Sequence, residues 1–141
     1  DIKSISLMAN IRANNESHTA GLAENILLRK GYFTEGSHSS IFFVKNKTLY
    51  THPEGPHILS GITRKAVIEI CTNLEITVIE ECVHIDELVE VDEVFLTGTT
   101  TQILAVTSMF HKEEEVFSKP ETGRITRRLQ NEFLKITRNT D

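Results

Sequence analysis

Two short apolar runs flank the polar triplet "KNK" in "SIFFVKNKTLYTHP" (40–53), a pattern that predicts two strands joined by a tight turn. The preceding "ENILLRKGYFTEG" (24–36) repeats the arrangement, with Lys30-Gly31 as the turn. "EVFLTGTTTQILAVTSMF" (93–110) does so again around a polar turn, and "EITVIEECV" (75–83) reads as a further strand. The spacing changes in "GITRKAVIEICTNL" (61–74), where Ile62, Ala66, Val67, Ile70, Cys71 and Leu74 fall on one face of a helix opened by Gly61. A second stripe, Ile125, Leu129, Phe133 and Ile136, predicts a final helix in "ETGRITRRLQNEFLKI" (121–136), with Pro120 at its start and a fraying tail, "TRNTD". "IDELVEV" (85–91) predicts a short helix. "SLMANIRANNESHTAGL" (6–22) places Leu7, Ile11 and Leu22 at helical spacing among small and polar residues, and is expected to be helical as well. Hairpins first, then strands between helices, predict an α+β domain with a mixed, largely antiparallel sheet and packed helices.

Composition narrows what such a domain does. The 141 residues suffice for one core and require no second. A net charge of −5 argues against a nucleic-acid partner, and the basic clusters "TRK" (63–65) and "RITRR" (124–128) fall within helical patterns, where solvation or ion pairing is the expected role. Cys71 and Cys82 are too far apart for a redox or zinc pair, and both are expected to be buried, reduced thiols. His52 and His57 are five residues apart with prolines between them, which excludes a helical metal-ligand pair. Absence of an apolar run of membrane-spanning length predicts a cytoplasmic protein without a membrane partner.

Four pieces carry candidate chemistry. In "SGITR" the first helical amides, at Ile62 and Thr63, have no partner within the helix, and Gly61 leaves room for a ligand, so an anion such as phosphate would fit. In "LTGTTTQ" a strand ends at Gly98 and offers consecutive amides with the Thr99 and Thr100 hydroxyls, a second possible phosphate cradle. Each alone also reads as an ordinary helix start or strand-end turn. Lys3 is either a solvated surface amine or one able to form a Schiff base, and Glu35 is either an exposed hairpin carboxylate paired with Lys30 or a placed charge.

Together, "DIKSISL", "YFTEGSHSSIFFV", "LYTHP", "ILSGITR" and "VFLTGTTTQI" resemble, in order and spacing, the fold-type IV pyridoxal-phosphate enzymes, with the D-amino acid aminotransferases most similar. The resemblance implies the large cofactor-binding domain of that fold. It implies that Lys3 holds pyridoxal 5′-phosphate as a Schiff base and shuttles the α-proton, and that Glu35 meets the pyridine nitrogen. Ile62 and Thr63 with Gly98 and Thr99 would hold the phosphate, Leu59 would pack on the ring, and Arg64 would be a structural ion-pair partner. The implied activity is transfer of an amino group between an amino acid, of D-amino acid or branched-chain type, and a 2-oxo acid. Aminodeoxychorismate lyase chemistry and a non-catalytic relative are the alternatives.

The chain departs from the family at Ser6 and Ser40, where asparagine is usual, and at "QILA" (102–105), where "E-I-T-P" is usual. The family's smaller N-terminal domain does not precede Lys3, and the chain begins without methionine, so it is expected to be one domain (1–141) of a longer enzyme that forms a homodimer.

Overall fold

The computed structural model describes residues 4–15, 18–36, 39–53, 61–98, 102–111 and 114–138, with the side chains of 4–15, 18–25, 27, 35, 36 and 138 outside that description. Nine strands occur among these residues: β1 (Ser4–Asn15), β2 (His18–Arg29), β3 (Tyr32–Gly36), β4 (Ser40–Lys45), β5 (Thr48–Thr51), β6 (Val78–Glu80), β7 (Glu93–Gly98), β8 (Gln102–His111) and β9 (Glu114–Ser118). Helix α1 (Ile62–Asn73) joins β5 to β6, α2 (Arg124–Arg138) follows β9, and a 3-10 helix (Ile85–Glu90) precedes β7. The strands form one sheet in the order β3-β2-β1-β8-β7-β4-β5-β6, with β9 also on β8. Among these strand pairs β5–β6 alone is parallel, because α1 carries the chain back across the sheet between them. The mixed α+β architecture is therefore the expected one.

Local chemistry sets the hairpins. Asn46 and Lys47 both take positive φ (49° and 64°), and Lys30 and Gly31 do likewise (53° and 85°), the backbone of the two-residue turn whose twist matches paired strands. Gly31 is required twice over, since a Cβ there would collide with the His84 ring. The two ends of the sheet are then drawn together. Just after β6, at one end, His84 forms an antiparallel bridge with Tyr32 of β3, at the other. Phe33 N–H donates to the Val83 carbonyl at 2.9 Å and Ile85 N–H to the Gly31 carbonyl at 2.8 Å, covering an edge that would otherwise present unpaired groups.

Curling the sheet gives it two apolar faces. Ile41, Phe43, Val94 and Leu96 pack with Phe33, Leu88, Met109 and Phe117 on the enclosed face. Phe42, Val44 and Phe95 alternate with them and pack against Val67, Ile70 and Cys71 of α1 and Leu129 of α2. Strands β4 and β7 are thus buried on both faces, which is why they read as unbroken apolar runs. Helix α1 stops in a tight C-terminal turn: Glu75 takes φ 61°, its N–H reaches the Thr72 carbonyl at 3.2 Å, and Ile76 N–H reaches that of Cys71 at 2.8 Å.

Several expectations are corrected. Within 6–22, residues 6–15 and 18–22 belong to the β1–β2 pair, which runs from Ser4↔Arg29 to Asn15↔His18, rather than to a helix. The Asn-rich centre has low helix propensity, and β1 also pairs with β8, so pairing in the sheet overrides a weak local spacing. Ile62 is 85% exposed at the start of α1, and Ile136 is exposed near the end of α2, so neither belongs to the stripe assigned to it. Cys82 is exposed; only Cys71 is buried, and burial pushes its thiol up to about 11. The strand expected over 75–83 is limited to β6, α2 begins at Arg124 rather than beside Pro120, and it continues through the Thr137 and Arg138 of the expected tail. Strand β9 was hidden by the acidic run that leads into it.

Candidate functional site

Helix α1 begins without a side-chain cap among the described residues. Gly61 is its N-cap residue, with extended backbone (φ −100°, ψ 145°), and its first turn contains no acidic residue. Its hydrogen-bond ladder starts at the Lys65 N–H, which reaches the Gly61 carbonyl at 3.1 Å, so the N–H groups of Ile62, Thr63 and Arg64 stand ahead of it. These donors and the positive end of the helix dipole favour an anion. A Cβ on Gly61 would come no nearer than 3.9 Å to the described residues around it, so none of these blocks the approach.

The end of β7 lies against this helix start. Thr63, 8% exposed, donates its hydroxyl to the Gly98 carbonyl at 3.2 Å. This one bond joins the two sequence pieces that separately suggested a phosphate cradle, "GITR" and "TGT", although they lie 35 residues apart. Gly98 of β7 pairs with Gln102 of β8, and Gln102 takes φ 59°, a left-handed conformation uncommon for a side-chain-bearing residue.

A buried cation secures the helix start from the other side. The Arg64 guanidinium is 2% exposed; its Nη2 donates to the His52 carbonyl at 2.9 Å and lies 3.7 Å from Glu80 Oε1. The expected ion pair is present, and it fastens the first turn of α1 to the ends of β5 and β6. Thr51 contributes to the same corner by donating to the Ile41 carbonyl at 3.0 Å. Charge-assisted bonds of this kind fix the orientation of the first turn of α1.

Of the residues singled out in the sequence, Ile62, Thr63 and Gly98 are therefore brought together. Lys3, Leu59 and Thr99 lie outside the described residues, and Glu35 is described only as part of β3, one residue before Gly36. Sequence reasoning used the Thr63 amide and missed its hydroxyl, whose role as a link depends on the distant Gly98. It also missed Thr97, which is buried beside Gly98. A polar residue closing an apolar strand was the available signal. Among the described residues no group of three or more His, Cys, Asp or Glu could hold a metal ion, and no helix is long and apolar enough to cross a membrane.

Residues 1–109 match the pattern of the family described as Amino-transferase class IV. The chain is 36% identical over 144 residues to the D-alanine aminotransferase of Bacillus licheniformis, covering 99% of this chain and 50% of that protein. Among solved structures, the branched-chain amino acid aminotransferase from Escherichia coli is similar at 34% identity and a TM-score of 0.71, covering 81% of this chain and 38% of that one. A T.th. branched-chain amino acid aminotransferase, solved with pyridoxamine 5′-phosphate, is similar at 33% identity and a TM-score of 0.69, covering 79% of this chain and 36% of that one. The chain thus spans about half the length of the curated relatives it matches. With the match extending over residues 1–109 and the fold agreeing, the chain belongs to the class IV aminotransferase family.

Proposed function

We propose that this chain is the cofactor-binding domain of a pyridoxal-phosphate aminotransferase that moves an amino group between an amino acid, of D-amino acid or branched-chain type, and a 2-oxo acid. The observation that carries this reading is the Thr63 to Gly98 hydrogen bond, which sets an uncapped helix start against the end of β7. The fit to a phosphate ester lies in the donor set: open amides at Ile62 and Thr63, no competing carboxylate in the first turn, and the Gly98 strand end alongside. In this reading the amides of Ile62, Thr63, Gly98 and Thr99 hold the phosphate, Leu59 packs against the ring, Glu35 faces the pyridine nitrogen, and Lys3 binds the cofactor's aldehyde carbon.

When bound, pyridoxal 5′-phosphate supplies an electron sink that makes the α-proton of an amino acid removable. Lys3 Nζ takes that proton and returns it, which requires an amine that is neutral for part of its cycle. The Glu35 carboxylate stabilises a proton on the pyridine nitrogen. The Arg64 contacts to His52 and Glu80 keep the phosphate donors oriented. We further propose that residues 1–141 act as a single domain within a longer enzyme that is cytoplasmic and homodimeric; coverage of half the length of the relatives supports the first of these alone.

The test is borohydride reduction of the chain mixed with pyridoxal 5′-phosphate, followed by peptide mapping. Label is expected on Lys3 and is expected to disappear in Lys3→Ala. Label spread over other lysines, with none on Lys3, would remove Lys3 from the mechanism and leave the reading without its reactive group.

A further inference from the structure

The face of β7 that looks toward the helices ends at Thr97. Phe95, two residues earlier, pairs with Phe42, and their stacked rings (4.9 Å between centroids) belong to the cluster beneath α1 and α2. Thr97 pairs in turn with Ser40 of β4 and with Ile103 of β8, and Ile103 is a member of that cluster. Strand alternation therefore puts Thr97 on the helix-facing side. It is 2% exposed, and its Oγ1 has no hydrogen-bond partner among the described residues. Buried hydroxyls are ordinarily paired, and one that is not calls for an explanation.

Position supplies one. Thr97 immediately precedes Gly98, whose carbonyl takes the Thr63 hydroxyl, so the unpaired Oγ1 sits one residue from the link between β7 and the start of α1. The donors described at the start of α1 are the backbone amides of Ile62, Thr63 and Arg64. A hydroxyl rotates to suit, and from the sheet side it would add a donor to those of the helix. Ser108 provides an internal contrast. Its Oγ is also buried and unpaired among the described residues, but it lies opposite Arg12 of β1 and Ser118 of β9, six residues beyond the Gly98 and Gln102 pair along β8.

We propose that Thr97 Oγ1 is a side-chain donor to the phosphate-ester dianion held at the start of α1, an inference that rests on the cofactor reading above. The experiment titrates pyridoxal 5′-phosphate and pyridoxal, which lacks the phosphate, into the wild-type chain and into Thr97→Val, Thr97→Ala, Thr97→Ser and Ser108→Ala. Both hydroxyl-free Thr97 variants are expected to bind pyridoxal 5′-phosphate about tenfold more weakly, with pyridoxal binding unchanged. Thr97→Ser is expected to restore affinity, and Ser108→Ala to leave it as in the wild type. If the wild-type chain prefers the phosphorylated ligand and either folded hydroxyl-free variant keeps that preference in full, the Thr97 assignment is wrong and the cradle stands. If the wild-type chain binds both ligands equally, the cradle reading fails and takes this inference with it.

Discussion

The two α-helices begin in opposite ways. At the start of α2, Glu93 reaches in from β7: its Oε2 accepts from Ile125 N–H at 3.1 Å, and its Oε1 from Thr126 N–H at 2.8 Å and from the Thr126 hydroxyl at 2.7 Å. Gly123 makes room for it, since a Cβ there would collide with the Glu93 carboxyl group. At the start of α1 stands Gly61, with no side-chain cap among the described residues and no acid in the first turn. The same sheet therefore satisfies one helix with a carboxylate of its own and, among the described residues, offers the other none. The 3-10 helix sides with α2. His84 accepts from Asp86 N–H at 3.1 Å and Glu87 from His84 N–H at 3.0 Å, a reciprocal cap made by local side chains. Against these two internally capped starts the open one is informative, because uncapped donors are a stability cost that a bound ligand offsets.

The largest effect is expected where the internal cap is removed. Glu93→Ala should lower the unfolding free energy by about 2 kcal/mol, through loss of charge-assisted bonds to two helix amides. Urea denaturation measures this, and a change below about 0.5 kcal/mol would show that α2 does not depend on Glu93.

Converting α1 into a copy of α2 should separate stability from binding. The Gly61 backbone is one that aspartate adopts readily, and a Cβ there is accommodated. Gly61→Asp is expected to raise stability by about 0.5 kcal/mol while weakening pyridoxal 5′-phosphate by about tenfold, as the new carboxylate occupies the donors. Thermal melts and a ligand titration together check the opposite signs. A stabilised variant with unchanged affinity would break the comparison.

The smallest effect concerns the 3-10 helix. The bond from the His84 N–H, followed by the contact with Lys45 Nζ at 3.0 Å, holds the Glu87 carboxyl below the usual glutamate range, and the same Glu87 contact raises Lys45. A depressed carboxylate contributes stability above its ordinary pKa and loses it as pH falls through the depressed value. Glu87→Gln should therefore be slightly less stable than wild type at neutral pH, with the difference closing below about pH 4. A difference that persists into acid would assign the effect to packing rather than charge.

How much of this was legible depends on the distance over which each feature is decided. The hairpin at Asn46-Lys47, the double-faced strands β4 and β7, and helix α1 are set by neighbours in sequence, and their patterns gave them away. The "GITR" and "TGT" pieces were visible because their donors are backbone groups at element ends. The β1–β2 hairpin was not, since its pairing with β8 is a long-range matter that overrode Leu7 and Ile11 at helical spacing. The true start of α2 was missed for the same reason: its cap is Glu93, 32 residues before Ile125, while Pro120 offered a nearer but misleading signal. Cys82 shared an apolar context with Cys71, yet the strand stops at Glu80 and leaves it outside.

The most direct test of the open start of α1 as the phosphate site is an amide NMR titration of the chain with pyridoxal 5′-phosphate. The Ile62 and Thr63 amide protons are expected to shift on binding, while those of Ile125 and Thr126, already held by Glu93, stay in place. Binding that moves the α2 amides and leaves those of α1 unchanged would contradict that assignment.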